Sequence, residues 1–322
     1  MKAIIHHAYG PPHEVLRLED VDTPSIGAAD VLVEVHASAV AGDDWRRVRG
    51  EPYSSRVHTG LRIPAQRVPG RDVAGRVLAV GAAVTTLGPG DEVFGWCEGA
   101  FAERARVPAA NLARKPGKLT FAQAAVVPLA GSAALRIVRG AGRVRQHQQV
   151  LVIGASGGVG TFVVQIAKAF GASVVGVCST TNTGLVRSIG ADDVVDYTLR
   201  DITEHGNRYD VVIDLVGNRS LADLRHTLRR DGTLVLAAGA LGQWFRATRR
   251  GAAARAVSPF VRQQLLSVAR QSCQSDLTAL TELIEAQLVT PIVSAHFSLG
   301  EVPDALRHFA NGHSRGKVAI TV

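Results

Sequence analysis

Short apolar runs separated by Gly and Pro fill the first third of the chain, and strand-like and helix-like periods alternate through most of the rest. DVLVEVHASAV (Asp30–Val40) alternates and then turns continuously apolar; VAGRVLAVGAAV (73–84) and DEVFGW (91–96) follow with Gly/Pro punctuation. These runs predict strands without intervening helices, hence a compact β-rich domain. The rhythm changes near Thr120. LTFAQAAVVPLAGSAALRIVRGAG has helical spacing, QQVLVIG is a buried strand, and VGTFVVQIAKAFGA is an apolar-faced helix. ASVVGVCS, TGLVRSIGAD, DVVDY, YDVVIDLVG and GTLVLAAG continue the alternation, which predicts a parallel sheet covered on both faces. From about Ser275 a helix, a strand, a helix and the final strand KVAITV leave that pattern and are expected to return to the first domain.

The strongest local signal is VLVIGASGGVG (150–160), which follows a strand and opens a helix. Read as Ala155, Gly157 and Gly160 in an A-x-G-x-x-G pattern, it brings backbone close to a pyrophosphate at a helix N-terminus. Ser156, Gly158 and Val159 complete the turn. The next strand ends at Cys178, Ser179 and Thr180, where an NAD-specific site would carry Asp or Glu for the ribose 2′-OH. Hydroxyls without a carboxylate favour NADP(H); the alternative use of Ser179 and Thr180 is to cap the following helix. Val216, Gly217, Ala238 and Gly239, near the ends of later strands, are further candidate cofactor contacts.

Composition narrows the class. A chain of 322 residues, 46% hydrophobic and 20% charged, is long enough for two domains with a sizeable core. The formal charge of +8 fits an anionic cofactor, and no nucleic-acid-binding motif accompanies it. Three well-separated cysteines with no CxxC imply neither a disulfide framework nor a structural zinc site, and point to a reducing, cytoplasmic setting. The N-terminus lacks a signal core, and no apolar run approaches a membrane span. The stretch 241–272 holds Arg249, Arg250, Arg255, Arg262 and Arg270 without an acid. It reads as an amphipathic helical excursion with solvated arginines, set against a membrane-surface or nucleic-acid patch.

The phosphate turn together with LVRSIGADDVVDY, MKAI, PGRDVAGRV, GDEVFGW, VVPLAG and GHSRGKVAITV resembles the zinc-independent medium-chain dehydrogenase/reductases of the quinone oxidoreductase branch. The resemblance spans nearly the whole chain. It implies an α/β protein with a GroES-like catalytic domain (1–125), a Rossmann NADP(H)-binding domain (126–272) and a C-terminal return to the catalytic domain (273–322), with substrate and nicotinamide in the cleft. It also implies a homodimer whose Rossmann sheets pair and protect the edge strand around 234–238. Tyr197 of VVDY matches a tyrosine at the adenosine phosphate end, and Lys317 of RGKV a lysine near the cofactor. Relatives often carry Lys or Arg just after the CST run, where this chain has Thr181 and Asn182; Arg187 is a possible substitute.

Zinc alcohol dehydrogenases of this scaffold place Cys, His–Glu and Cys or Asp ligands where this chain has Ala41, Arg71–Asp72, and Leu129 or Ala130. No zinc is therefore expected, and His6, His7, His13, His58, His308 and His313 read mostly as surface histidines. Without a Lewis acid or a Tyr-x-x-x-Lys donor, hydride transfer to a quinone or α,β-unsaturated carbonyl is the least demanding chemistry. The alternatives are an NADP-dependent alcohol dehydrogenase, a biosynthetic enoyl reductase, or a non-catalytic NADPH-binding sensor. Candidate catalytic groups are Asp44, Arg46 and Asp72, with a structural salt bridge as the alternative for Asp72. Trp45, Trp244 and Phe245 are candidates for the substrate cleft. Trp96 reads as core, and Trp45 as either.

Overall fold

The computed structural model describes residues 1–202, 208–237, 244–268, 273–312 and 315–322, and only the backbone of 244–249. The chain divides into two compact units, one of residues 1–132, 272–285 and 291–322, the other of residues 133–271 and 286–290.

The first unit begins with β1 (Lys2–His6), β2 (Leu16–Asp20), β3 (Asp30–Val40), β4 (Asp72–Val80), β5 (Glu92–Trp96), β6 (Arg104–Pro108) and β7 (Leu112–Arg114). The second holds β8 (Gln149–Ile153), β9 (Ser173–Cys178), β10 (Asp193–Asp196), β11 (Tyr209–Asp214), β12 (Leu228–Leu236) and β13 (Gln264–Ser267). β14 (Val293–Ser298) and β15 (Lys317–Thr321) belong to the first unit again.

In the first unit β15 lies antiparallel beside β3, giving a sheet of order β14-β15-β3-β4-β5-β7 with β6 also on β3. Alternation in β3 buries Val31, Val33 and Val35 against Val73, Val77, Val93 and Val107. One expectation is corrected here: the unit is not free of helices. Gly42–Arg49 is helical. Asp43 and Asp44 in its first turn and Arg46, Arg47 and Arg49 in its last suit the helix dipole. Gly50, at φ 64°, ends it in the left-handed conformation that glycine adopts freely.

In the second unit all strand pairs are parallel, in the order β10-β9-β8-β11-β12-β13. Numbered from β8, that is the 3-2-1-4-5-6 order of a doubly wound dinucleotide-binding sheet. The helix Gly160–Ala169 is buried nearly all round, as expected where a helix covers a parallel sheet. Val127 precedes Pro128, which splits the long helical run 119–142 into separate pieces. The Arg-rich stretch also departs from expectation. After the helix Trp244–Val257 it supplies β13, which pairs with β12, so the strand around 234–236 is internal and β13 and β10 are the edges. Among the described residues no helix is long and apolar enough to cross a membrane.

Candidate active site

The order of β10 to β13 reverses between β8 and β11, and ligands of such sheets bind at the carboxyl ends of the strands at that point. Gly154 leaves β8 at φ 86°, and a Cβ there would meet Val216 Cγ2 at 2.8 Å, so the two strand ends flank one narrow crevice. Gly160 is packed tightly: an added Cβ would lie 2.0 Å from the Gly154 carbonyl oxygen. At Gly157 an added Cβ would meet nothing nearer than that oxygen at 3.4 Å. Gly160 therefore serves helix–strand packing, and Gly157 keeps open a space beside the turn that a side chain would fill. In the first turn of the helix Gly160–Ala169 the Thr161 N–H bonds the Gly157 carbonyl and the Val163 N–H the Val159 carbonyl, both at 3.0 Å, and the positive end of the helix dipole suits an anion here. A pyrophosphate fits both features.

Across the crevice, Asp214 at the end of β11 is fully buried. Its Oδ1 accepts the N–H groups of Val216 at 3.0 Å and Gly217 at 2.9 Å, and Arg250 Nη2 donates to its Oδ2 at 2.6 Å. Arg250 is thus an internal counter-ion and not one of the solvated arginines expected of its stretch.

At the end of β9 the helix-capping alternative is not realised. Ser179 occupies the N-cap position of the 3-10 turn Thr180–Asn182 without a side-chain cap bond. Its Oγ instead accepts from Asn182 Nδ2 at 3.1 Å, and the same Nδ2 donates to Ser156 Oγ at 3.2 Å. The Thr180 hydroxyl lies 2.8 Å from Thr198 Oγ1, which itself donates to Asp196 at 2.7 Å. Asp196, opposite Cys178 in the β9–β10 register, is a carboxylate that the sequence reading did not place here. Hydrogen bonds from Thr180 and Thr198 hold its carboxyl below the ordinary range, so it is ionised at neutral pH. Tyr197 follows it and is half exposed.

The first unit holds two buried acids with different surroundings. Asp72 Oδ1 accepts the Leu129 N–H at 2.9 Å, and Lys317 Nζ donates to Asp72 Oδ2 at 3.0 Å and to the Val40 carbonyl at 2.8 Å. The salt-bridge alternative for Asp72 is the arrangement present, and Lys317 is its buried partner. Asp44 Oδ2 accepts the Ala41 N–H at 2.8 Å, while its Oδ1 is buried without a hydrogen-bond partner among the described residues. Burial pushes the Asp44 carboxyl up to about 7; the Ala41 N–H opposes that, nearby Asp72 adds to it and Lys317 opposes it.

Asp44 lines a cavity of about 260 Å³ together with His6, Tyr9, Arg47, His58 and Arg71, among others. His6 corrects the surface expectation: it is 2% exposed, its Nε2 sits 3.1 Å from the Val48 carbonyl, and burial lowers its pKa. Tyr9 stands edge-on to His6 and donates to carbonyls of the 59–60 turn. Sequence reasoning missed Tyr9 because no motif surrounds it. Arg46 pairs with Asp43, which also binds Arg71 at 3.2 Å. Trp45 packs beside the apolar cluster of Val40, Val48 and Leu306, and Trp96 is buried on β5. Trp244 and Phe245 begin the helix Trp244–Val257, and their side chains lie outside the described residues, as do Ala238, Gly239 and His313. Among the described residues no group of three or more His, Cys, Asp or Glu could hold a metal ion.

Residues 27–117 match the alcohol dehydrogenase GroES-like domain model, and residues 189–320 match the model described as zinc-binding dehydrogenase. The chain is 33% identical to the 2-methylene-furan-3-one reductase of Solanum lycopersicum, over 99% of this chain and 79% of the relative. It is also 33% identical to the chloroplastic NADPH-dependent alkenal/one oxidoreductase of Arabidopsis thaliana, with the same two coverages of 99% and 79%. Among solved structures, the quinone oxidoreductase from Coxiella burnetii superposes with a TM-score of 0.88 at 28% identity, covering 100% of this chain and 99% of that one.

Proposed function

The chain belongs to the quinone oxidoreductase-like branch of the medium-chain dehydrogenase/reductase family, and from this premise we propose that it is an NADPH-dependent oxidoreductase reducing a quinone or α,β-unsaturated carbonyl without a metal. The observation that carries the reading is the open phosphate turn at Gly157, set at the strand-order reversal of a doubly wound sheet. Ser156 to Gly160 would hold the pyrophosphate, and Ser179, with Tyr197 nearby, the 2′-phosphate end. Bound there, NADPH would supply the hydride. The plant relatives are named for alkenal/one and furanone substrates, which are conjugated acceptors that need no Lewis acid to take a hydride.

The metal-free part of the reading is supported by what occupies the family's ligand places. Ala41 offers no donor atom, Arg71 is tied to Asp43 and Glu98, and Asp72 is committed to Lys317 and the Leu129 N–H. In the same unit, the cavity beside Asp44 is the acceptor pocket in this reading. Burial holds the Asp44 carboxyl up to about 7, and its Oδ1, without a hydrogen-bond partner among the described residues, would present a proton to a developing enolate or quinol oxygen. The homodimer in this reading pairs through the edge strand β13.

The test is NADPH oxidation against a panel of quinones, enones, simple aldehydes and ketones, with metal analysis of the same preparation. Turnover of conjugated acceptors alone, at sub-stoichiometric zinc, is expected. Turnover confined to simple alcohols and ketones, or one zinc per chain lost together with activity on chelation, would overturn the reading.

A further inference from the structure

Asn182 stands where the short helix Thr183–Ser188 takes its N-cap, a place where asparagine ordinarily turns its side-chain oxygen toward free backbone N–H groups. Here it makes no such cap. The side chain is buried at 2% exposure and turned the other way, with Nδ2 on both Ser156 Oγ and Ser179 Oγ and with Oδ1 enclosed and without a donor among the described residues. An enclosed, unpartnered carbonyl oxygen costs stability, so the orientation is one that the two serine contacts impose.

The direction of those two hydrogen bonds matters. An amide N–H can only donate, so each serine oxygen is the acceptor and keeps its own hydroxyl proton uncommitted to Asn182. Ser156 belongs to the turn after β8, and Ser179 to the end of β9. The neighbouring hydroxyls are arranged otherwise: Thr198 donates to Asp196, and Thr180 is engaged with Thr198. Ser179 thus keeps a hydroxyl proton that its Asn182 contact does not use; its other side-chain contact among the described residues is Thr181 Oγ1 at 3.4 Å, where either hydroxyl can donate, so the Ser179 proton can turn to an anion.

We infer that Asn182 is the positioning residue for cofactor phosphate selection: by donating to both serines it sets the Ser179 hydroxyl as a donor to the 2′-phosphate and the Ser156 hydroxyl as a donor to the pyrophosphate. The inference rests on the NADPH reading above. It accounts for selection of a 2′-phosphate without the Lys or Arg that relatives often carry at 181–182. Recognition runs through oriented neutral donors, and it explains why an uncharged residue is buried there.

The test is a double-mutant cycle on the full chain, using NADPH and NADH as probes, followed by nicotinamide fluorescence and by thermal melting. Ser179→Ala is expected to weaken NADPH roughly tenfold, one hydrogen bond to a charged group, and to leave NADH nearly unchanged. Asn182→Asp places an acceptor-only carboxylate opposite both serines and turns their protons inward. It should weaken both cofactors and NADPH more, and in its background Ser179→Ala should cost nothing further. An equal cost of Ser179→Ala in both backgrounds would mean that Asn182→Asp acts by charge alone and would overturn the inference, as would an unchanged NADPH-to-NADH ratio. Should Asn182→Asp fail to fold, Asn182→Ala replaces it in the cycle, with a reduced Ser179→Ala cost expected and an undiminished one refuting. A parent protein that neither binds nor is stabilised by NADPH removes the cofactor reading itself; a parent that binds while the cycle is additive removes only the role of Asn182.

Discussion

The same substitution at two glycines three residues apart should have opposite consequences. Gly160→Ala puts a Cβ 2.0 Å from the Gly154 carbonyl oxygen and 2.9 Å from the Ala155 carbonyl carbon, both backbone atoms of the opposing turn. No side chain can swing away, so helix and strand must separate. Overpacking of this kind costs about 1–3 kcal/mol, and a backbone obstacle places it at the upper end. At roughly 2–4 °C per kcal/mol for a domain of this size, melting should fall by about 6–12 °C. Gly157→Ala meets only an ordinary contact at 3.4 Å, and its φ lies outside the left-handed region, so the apo protein should melt at or slightly above the parent temperature. Its new methyl fills the space assigned to phosphate oxygens, and NADPH affinity should drop by roughly tenfold or more, about 1.4 kcal/mol per tenfold. The assay is thermal melting of parent and both variants, alone and with NADPH at about 100 times the parent dissociation constant, where binding adds about 2.7 kcal/mol. A Gly157→Ala protein that gains as many degrees from NADPH as the parent would refute the placement of the phosphate. A Gly160→Ala protein as stable as the parent would refute the packing argument.

Asp44→Asn should remove a pH-dependent destabilisation. The folded carboxyl is raised from 3.8 to about 7, so its contribution is fully present below pH 4, is lost as pH rises towards 7, and then levels off. The variant should therefore gain on the parent by a few kcal/mol between those limits, and a melting difference that does not change with pH would count against the buried-acid assignment. Lys317→Met strands Asp72 and should cost about 3–5 kcal/mol, with Asp72→Asn in the same chain recovering part of it; a neutral Lys317→Met would show that the pair carries no such coupling. Arg250→Met leaves Asp214 without its counter-ion beside the crevice and should lower both melting temperature and NADPH affinity, so an effect on neither would disprove the link. Asp196→Asn removes a carboxylate from the strand end next to Ser179 and should strengthen NADPH binding severalfold, with NADH little changed, as read by parallel titrations.

The fold class was legible because its determinants are local and repeated. Val31, Val33 and Val35 alternate on one strand, Gly154 and Gly160 bracket a strand-to-helix turn, and the buried runs of β8, β9 and β11 recur at helix-length intervals. The misreadings fall where a local signal was weak or was given the wrong weight. Gly42–Arg49 carries acids first, bases last and a closing Gly50, all readable as helix signals, but it is short and its mean polarity hid them. β13 is four residues inside a basic stretch, and only its partner β12 makes it a strand.

The site was legible to the extent that its chemistry lies along the chain. The phosphate turn and the Ser179–Thr180 strand end are contiguous motifs, and their glycine and hydroxyl content carries meaning by itself. Asp44 and Asp72 are the opposite case. Both are buried acids of the same helix-and-strand neighbourhood, and by type they are interchangeable. Lys317 separates them: it arrives on β15 from 245 residues away to pair with Asp72, while Asp44 receives one backbone N–H and, among the described residues, no directly bonded cation. Which acid is taken into an ion pair and which is left with a raised pKa is therefore decided by strand pairing between β15 and β3, a contact between chain ends that no local pattern announces. The same holds for Asn182, a polar residue in a polar turn until the fold sets it between Ser156 and Ser179. In this protein the sequence names the groups, and pairing across the fold settles which of them donate, which accept, and which hold a proton.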